Sequence, residues 1–293
     1  MTDFTIDEFF TRFPNDDACL EHLMEVRYGK TIACPKCTKT ILFHRIKKIP
    51  AFACNFCGHH IHPMAGTPFE KSRTSLRKWF YAMYLFTTSR HGVPAKELQR
   101  QLGVTYKCAW RMGHEIRKYM TDVDGDGNYG GNQTIVEMDE TFIGGKARNK
   151  KKKFGEPRKA PQDGKTIVFG MVERNGSVQT HVIETRTTKA IKKHVKKVVR
   201  GTVISTDEAG IYKYLTKAGY IHGTVCHEDG EYVRGQIHTN TIESFWSRLK
   251  NSIRGTHVHV SAKHMHKYLG EFEYRYNMRK SPKWMFERLL GSF

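Results

Sequence analysis

The sequence predicts a multidomain α+β protein, and three observations carry that prediction. Two CxxC pairs, CPKC at 34–37 and CNFC at 54–57, mark a small metal-organised module. A middle stretch places apolar residues at helical spacing, with Gly103 between two amphipathic runs. From Thr134 the pattern changes to strands alternating with helices. At 293 residues, with 39% hydrophobic and 12% aromatic side chains, the chain is long enough for two or three units that each bury a core.

Residues 1–70 read as an N-terminal helix and a zinc ribbon. Each CxxC pair brings two thiolates to one tetrahedral Zn²⁺, and the intervening TKTILFHRIKKIPAFA has strand character. Cys34, Cys37, Cys54 and Cys57 are therefore the expected ligands of a structural zinc ion. His59, His60 and His62 follow where four thiols already complete the set, so surface or phosphate contacts suit them better. Cys19, Cys108 and Cys226 have no partner at ligand spacing and read as buried thiols.

Residues 71–121 read as a helical DNA-binding region. A long helix is expected from about Ser72 to Ser89. Ala95, Leu98 and Leu102 then mark a short helix, Gly103 permits a tight turn, and Val104, Ala109, Met112 and Ile116 continue the buried face of another. That is a helix-turn-helix pattern, with an ordinary helical hairpin as the alternative. Its second helix is expected to expose Tyr106, Lys107, Arg111, His114 and Arg117, side chains suited to phosphates and major-groove edges. Residues 122–133 read as a linker. Asp122, Asp124, Asp126 and Gly127 imitate the start of a calcium loop, but its twelfth position is Gln133 rather than Glu, and a strand pattern follows instead of an exiting helix.

Residues 134–293 make the last expected domain. TIVEMDETFIGG reads as a strand, TIVFGMVER and SVQTHVIET as a hairpin turning at Asn175 and Gly176, and TTKAIKKHVKKVVR as a helix. TVISTDE is a short buried strand, IYKYLTKAG a helix and YIHGTVCH another strand, and two helices close the chain. Three strands, a helix, a strand and further helices is the order of an α/β RNase H-like domain with a mixed sheet. A basic insertion at about 146–165 lies between the first two strands, and its Lys150, Lys151, Lys152 and Lys153 suit DNA phosphates.

Charge narrows the partner. Lys and Arg number 49 against 29 Asp and Glu, a net charge of +20, which favours a polyanion over a neutral small molecule. The longest apolar run, WFYAMYLF, is too short to span a bilayer, and the acidic MTDFTIDEFF is unlike a signal or transit peptide, so a cytosolic, reducing compartment is expected.

The acids suggest the chemistry. Asp139 falls near the end of the first strand of the last domain and Asp207 at the end of the fourth, strands that neighbour each other in an RNase H-like sheet. On the helix after them, Asn240, Glu243, Ser247 and Lys250 share one arc, while Ile242, Trp246, Leu249 and Ile253 share the next. The apolar arc can seat the helix on the sheet, leaving Glu243 to complete a trio of carboxylates. Alternation points Glu137 to the side of Asp139 and Glu140 away. Crowded carboxylates raise one another's pKa unless hard divalent cations relieve the repulsion. Two such ions can serve an in-line displacement at phosphorus, with Lys250 holding a DNA phosphate nearby.

MDETFIGGK, STDEAGIYKYL and HTNTIESFWSRLKNSIRGTHVHVSAKHMHKYLGEFEYRYNMR closely resemble the DDE transposases of bacterial insertion sequences, in the zinc-ribbon group related to the Merlin elements. The resemblance runs over nearly the whole chain. It implies an enzyme that recognises terminal inverted repeats, cleaves the element's ends and joins them to target DNA with Mg²⁺ or Mn²⁺. Homo-oligomers are expected on the DNA, because two ends must meet, in the bacterial cytoplasm at the nucleoid. The family's acids fall on Asp139, Asp207 and Glu243, and its basic partner on Lys250. Parts of the group carry Asn as the third ligand, so Asn240 stands beside Glu243 as an alternative or supporting ligand. The competing readings are a DNA-binding regulator on the same scaffold and a structure-selective nuclease.

Overall fold

The computed structural model describes residues 4–123, 129–131, 134–145, 164–226 and 233–293. Two compact units result, one of Met1–Val123 with Met278–Phe293 and the other of Asp124–Asn277.

The first unit opens with α1 (Ile6–Arg12) and α2 (Asp16–Tyr28). Thr5 and Glu8 form a reciprocal capping box on α1, and the Asn15 side chain accepts from the Ala18 amide to start α2. Strands β1 (Thr31–Ala33), β2 (Thr40–Ile46), β3 (Ala51–Cys54) and β4 (His60–Ile61) follow as an antiparallel ribbon in that order. Helix α3 runs over Leu76–Thr88 rather than from Ser72. Ser72 is held in a turn, its Oγ accepting from the Thr74 amide and from Trp79 Nε1, and Ser75 supplies the cap instead.

Helix α4 (Ala95–Leu102) ends at Gly103, whose φ of 60° a glycine adopts without steric cost, and α5 (Tyr106–Val123) begins after it. Ala109, Met112, Ile116 and Met120 bury one stripe of α5, while Tyr106, Lys107 and Arg111 are exposed as expected. His114 and Arg117, expected at the surface, are buried instead. Arg117 donates to the Val93 carbonyl at 2.9 Å and lies over the Phe86 ring, and His114 packs against Trp110 with its ring tilted. The buried stripe is broad enough to take in both positions, so Arg117 serves the fold rather than the exposed face expected of it. Cys19 is fully buried, which pushes its thiol up to about 12, whereas Cys108 and Cys226 are only half-buried.

The last segment departs further from expectation. The sequence reading carries the final domain to Phe293, but Met278–Phe293 belongs to the first unit. Helix α9 (Met285–Leu290) places Phe286 near Phe9, Phe13 and Phe80, and Phe293 stacks on Tyr119. A helix this short shows no usable periodicity, so only packing reveals where it docks.

The second unit is a five-stranded sheet of β5 (Ile135–Ile143), β6 (Thr166–Glu173), β7 (Val178–Ile183), β8 (Val203–Asp207) and β9 (Ile221–Val225), in the order β7-β6-β5-β8-β9. The first three strands pair antiparallel, and β8 and β9 continue the sheet in parallel. Helix α6 (Thr188–Val195) packs Ile191 and Val195 on one face with Met138, Phe169 and Ile204. Helices α7 (Asn240–Ser252) and α8 (Met265–Asn277) cover the other, with Ile242, Trp246, Leu249 and Phe272 against Val168 and Val172.

Two expected helices are shorter or different. Helix α6 stops at Val195 because the chain peels away to bridge Tyr129 through Lys197 and Val199. The IYKYLTKAG segment forms two 3₁₀ turns, Gly210–Tyr212 and Thr216–Ala218, that set Tyr212 and Leu215 into the core before Gly219 reverses the chain at φ 86°. Lys150, Lys151, Lys152 and Lys153, with most of the 122–133 linker, lie outside the described residues.

Candidate active site

Strand β5 is covered on both faces, so its alternation sends acids into two layers. Glu137 and Asp139 face α7, whereas Glu140 joins Val136 and Met138 on the α6 side. Parallel pairing sets Ile135 against Val203, Val136 against Ile204 and Glu137 against Ser205. Continuing that register by two residues brings Asp207 level with Asp139.

The helix that carries Glu243 is fastened to the same strand. Glu137 is fully buried, and its carboxylate accepts from the amides of Thr241 (2.8 Å) and Ile242 (3.1 Å) and from the Thr241 hydroxyl (2.9 Å). These are amides that the first turn of a helix leaves unpaired, and a carboxylate also suits the positive end of the helix dipole. Arg174 balances the charge through Nε at 2.6 Å and holds the Gln236 and His238 carbonyls with its other nitrogens. The Ser205 hydroxyl also donates to His238 O (2.7 Å), so β5, β8 and the approach to α7 are tied at one point.

Two turns of the helix then reach the acids. Thr239 donates to Glu243 Oε1 at 2.6 Å, and Trp246 Nε1 donates to Asp139 Oδ2 at 3.0 Å. Space for the indole comes from Gly170, which pairs with Asp139 across β5 and β6. A Cβ at that position would meet Trp246 Cζ2 at 2.4 Å.

The electrostatics record the convergence. Burial, the charges of Glu140 and Asp207, and in smaller part that of Glu243 raise Asp139 to about 7. Burial lowers Lys250 from its ordinary range, while the Asp139 charge works the other way, which places this cation in the field of the acid. Asn240 is exposed at the first position of α7, and Glu243 and Lys250 are half-buried. The structure thus brings Asp139, Asp207, Glu243 and Lys250 to one side of the sheet. Behind them, Glu140 accepts from Tyr212 Oη at 2.5 Å and from Arg186 Nε at 3.0 Å, and Arg186 Nη2 lies 3.5 Å from Asp207 Oδ2.

The two donor sets differ in the chemistry they would offer a metal. An all-carboxylate set that holds one member near neutrality fits hard, oxygen-seeking divalent cations, whose charge would relieve the repulsion. The ribbon offers four thiols whose sulfurs all lie within 4.8 Å of one another, with Cys34 to Cys57 at 3.6 Å and Cys37 to Cys54 at 3.9 Å. Zinc–sulfur bonds of about 2.3 Å make a tetrahedron with edges of about 3.8 Å, so this cluster fits zinc closely. Desolvation opposes ionisation of Cys34, but the backbone amides of Cys37 and Lys36 outweigh it and bring the thiol down to about 6. Among the described residues, the acids form no comparably tight ligand group.

Sequence reasoning placed Glu137 beside Asp139 without giving it a task, and it read Trp246 only as a seat on the sheet. Gly170, Arg174, Arg186 and Tyr212 were missed. The one available signal was the acidic run EMDE, which exceeds what a single metal-binding acid needs.

Known proteins are similar to this chain in sequence. A family model described as an ISXO2-like transposase domain matches residues 131–277, and one described as a transposase zinc-ribbon domain matches residues 14–60. An uncharacterised protein in the transposable element ISH50 of Halobacterium salinarum is 25% identical over 278 residues, covering 89% of this chain and 90% of that one. No solved structure matches the chain. Among the described residues, no helix is long and apolar enough to cross a membrane.

Proposed function

The chain belongs to the IS1595 transposase family, with an ISXO2-like transposase domain behind a transposase zinc ribbon, and on that premise we propose that it is a DDE transposase. It binds the terminal inverted repeats of an insertion sequence, cleaves the element's ends and joins them to target DNA. The observation that carries this reading is that Asp139, Asp207 and Glu243, remote in sequence, lie within one another's field: burial first, then the charges of Glu140 and Asp207 and in smaller part that of Glu243, raise Asp139 to about 7. The strand order β7-β6-β5-β8-β9, antiparallel then parallel, supports an RNase H-like domain.

Asp139, Asp207 and Glu243 would hold Mg²⁺ or Mn²⁺, which when bound supplies activation of the attacking water or 3′ hydroxyl and stabilisation of the leaving oxygen. The chain's own residues supply the frame. Glu137 fixes the start of α7, Thr239 orients Glu243, and Trp246 orients Asp139. Lys250 offers a cation to the phosphate strand. Glu243, half-buried and oriented, is the third ligand in this reading, with exposed Asn240 in support. Tyr106, Lys107 and Arg111 on α5 contact DNA, together with the ribbon and Lys150, Lys151, Lys152 and Lys153. The active assembly holds two DNA ends and therefore more than one copy of the chain.

The test is DNA carrying the inverted repeats that flank the gene, incubated with the protein and Mg²⁺ or Mn²⁺. Nicking at the ends and joining to a target plasmid are expected. Asp139→Ala, Asp207→Ala and Glu243→Ala should each abolish both reactions while leaving DNA binding largely intact. Cleavage without joining would make the protein a nuclease, and binding without cleavage a regulator. Normal activity in Glu243→Ala with loss in Asn240→Ala would move the third ligand to Asn240.

A further inference from the structure

Resting on the transposase reading, we propose that Arg186 grips a DNA phosphate beside the second acid, on an arm that Glu140 and Tyr212 hold in place. Arg186 lies in the loop between β7 and α6, with its side chain 43% exposed. Its Nε donates to Glu140 Oε2 at 3.0 Å. The Glu140 side chain is fully buried, and its other oxygen accepts from the buried Tyr212 hydroxyl. One end of the guanidinium is therefore anchored from below.

The other end is loosely held. Nη2 lies 3.5 Å from Asp207 Oδ2, at the outer limit of a hydrogen bond. A guanidinium carries five N–H donors in a planar fork that matches phosphate oxygens two at a time. Fastening by Nε leaves that fork at the edge of the acidic site, on the Asp207 side, while Lys250 supplies a cation from α7. Cations on two elements thus flank acids that would otherwise repel a DNA strand.

Stability alone gives little reason for this layout. A buried carboxylate paired with a cation is often no better for stability than apolar residues of the same volume. An anchor that fixes a half-exposed cation within reach of Asp207 has a reason once a phosphate must be placed there.

The experiment uses the full chain and duplex DNA bearing the element's terminal repeat. Arg186→Lys keeps a positive charge for Glu140 but loses the fork, and its single-turnover cleavage should fall about 100-fold, the usual cost of losing one transition-state donor. Mn²⁺ binding without DNA, read by electron paramagnetic resonance, should stay close to that of the unaltered protein. Tyr212→Phe, which only loosens the anchor by one hydrogen bond, should lose about tenfold in the same rate. A neutral methylphosphonate in place of the contacted phosphate should slow the unaltered protein yet cost Arg186→Lys nothing more. Cleavage at the original rate in Arg186→Lys overturns the proposal, as does Mn²⁺ affinity that falls in step with the rate. If the unaltered protein neither cuts nor joins, the transposase reading fails while the contact can still be judged. In Ca²⁺, Arg186→Gln should then reduce the salt dependence of DNA binding by about one counterion, and an unchanged slope overturns the contact.

Discussion

At Gly170 a single methyl group tests how closely the acidic site is built. The position sits opposite Asp139 in the β5–β6 register, and a Cβ there would strike Trp246 at 2.4 Å and Ile242 at 3.0 Å, both seated on α7. Gly170→Ala should therefore push the indole off Asp139 and cost about 1–3 kcal/mol, the range for overpacking a core. Urea unfolding would read the loss, and a matching fall in DNA cleavage would show that the indole serves the acid as well as the fold. An unchanged unfolding midpoint would mean that the sheet yields and the contact is not tight. Asp207 at an apolar strand end and Glu243 on an amphipathic helix stand out in the sequence because each breaks the pattern around it, whereas Asp139, expected near the end of its strand, lies in the middle of β5. Gly170 is not legible, because its meaning exists only once β6 is set in register beside β5. Arg117 misleads for the related reason that a long cation can lie inside a helix–helix contact when a carbonyl and a ring receive it.

Helix α7 can be recognised from its periodicity, but nothing in that periodicity says how its start is held. Glu137 supplies the answer from another element, with three hydrogen bonds into the first turn. Glu137→Gln keeps the shape and gives up the charge facing Arg174, for an expected loss of about 1–3 kcal/mol. Hydrogen exchange should show the Thr241 and Ile242 amides losing protection before the middle of the helix does. Equal loss along all of α7 would instead mean a general destabilisation. The ribbon is a simpler element, legible from its cysteine spacing alone. Its strands are short, so stripping zinc with a chelator should erase exchange protection over Thr40–Ile46 and Ala51–Cys54. The five-stranded sheet should keep its own protection. Retained protection at β2 in protein verified to be zinc-free would make the metal dispensable for the fold. The 3₁₀ turns after β8 escape sequence reading because Tyr212 and Leu215 stand three apart, a spacing that an α-helix and a 3₁₀ turn both satisfy.

Across the whole molecule, the chain leaves the first unit at Val123, builds the second, and returns at Met278 to finish the first. Composition and length foretell a basic, multi-unit protein, but no local pattern foretells that return, which rests, among the described residues, on apolar side chains and an ionic knot. In that knot Glu287 meets Arg12 at 2.5 Å and His22 at 2.9 Å. Burial works against the charge on Glu287, but hydrogen bonds and charges from His22 and Arg12 outweigh it and hold the carboxyl below the usual glutamate range. A carboxyl with a depressed folded pKa contributes stability that is fully present above its unfolded value, about 4.3. That contribution is lost as pH falls through the folded value. The first unit should therefore weaken progressively from about pH 5 downward. Glu287→Gln should be less stable than the unaltered chain near neutrality and should draw level with it in acid, because the glutamine has no proton to gain. Urea titrations of the full chain, followed through the Leu289 and Leu290 methyl resonances, would separate this unit from the other. Parallel pH profiles for the two proteins would show that the knot adds no pH-dependent stability and that apolar packing alone secures the returning segment.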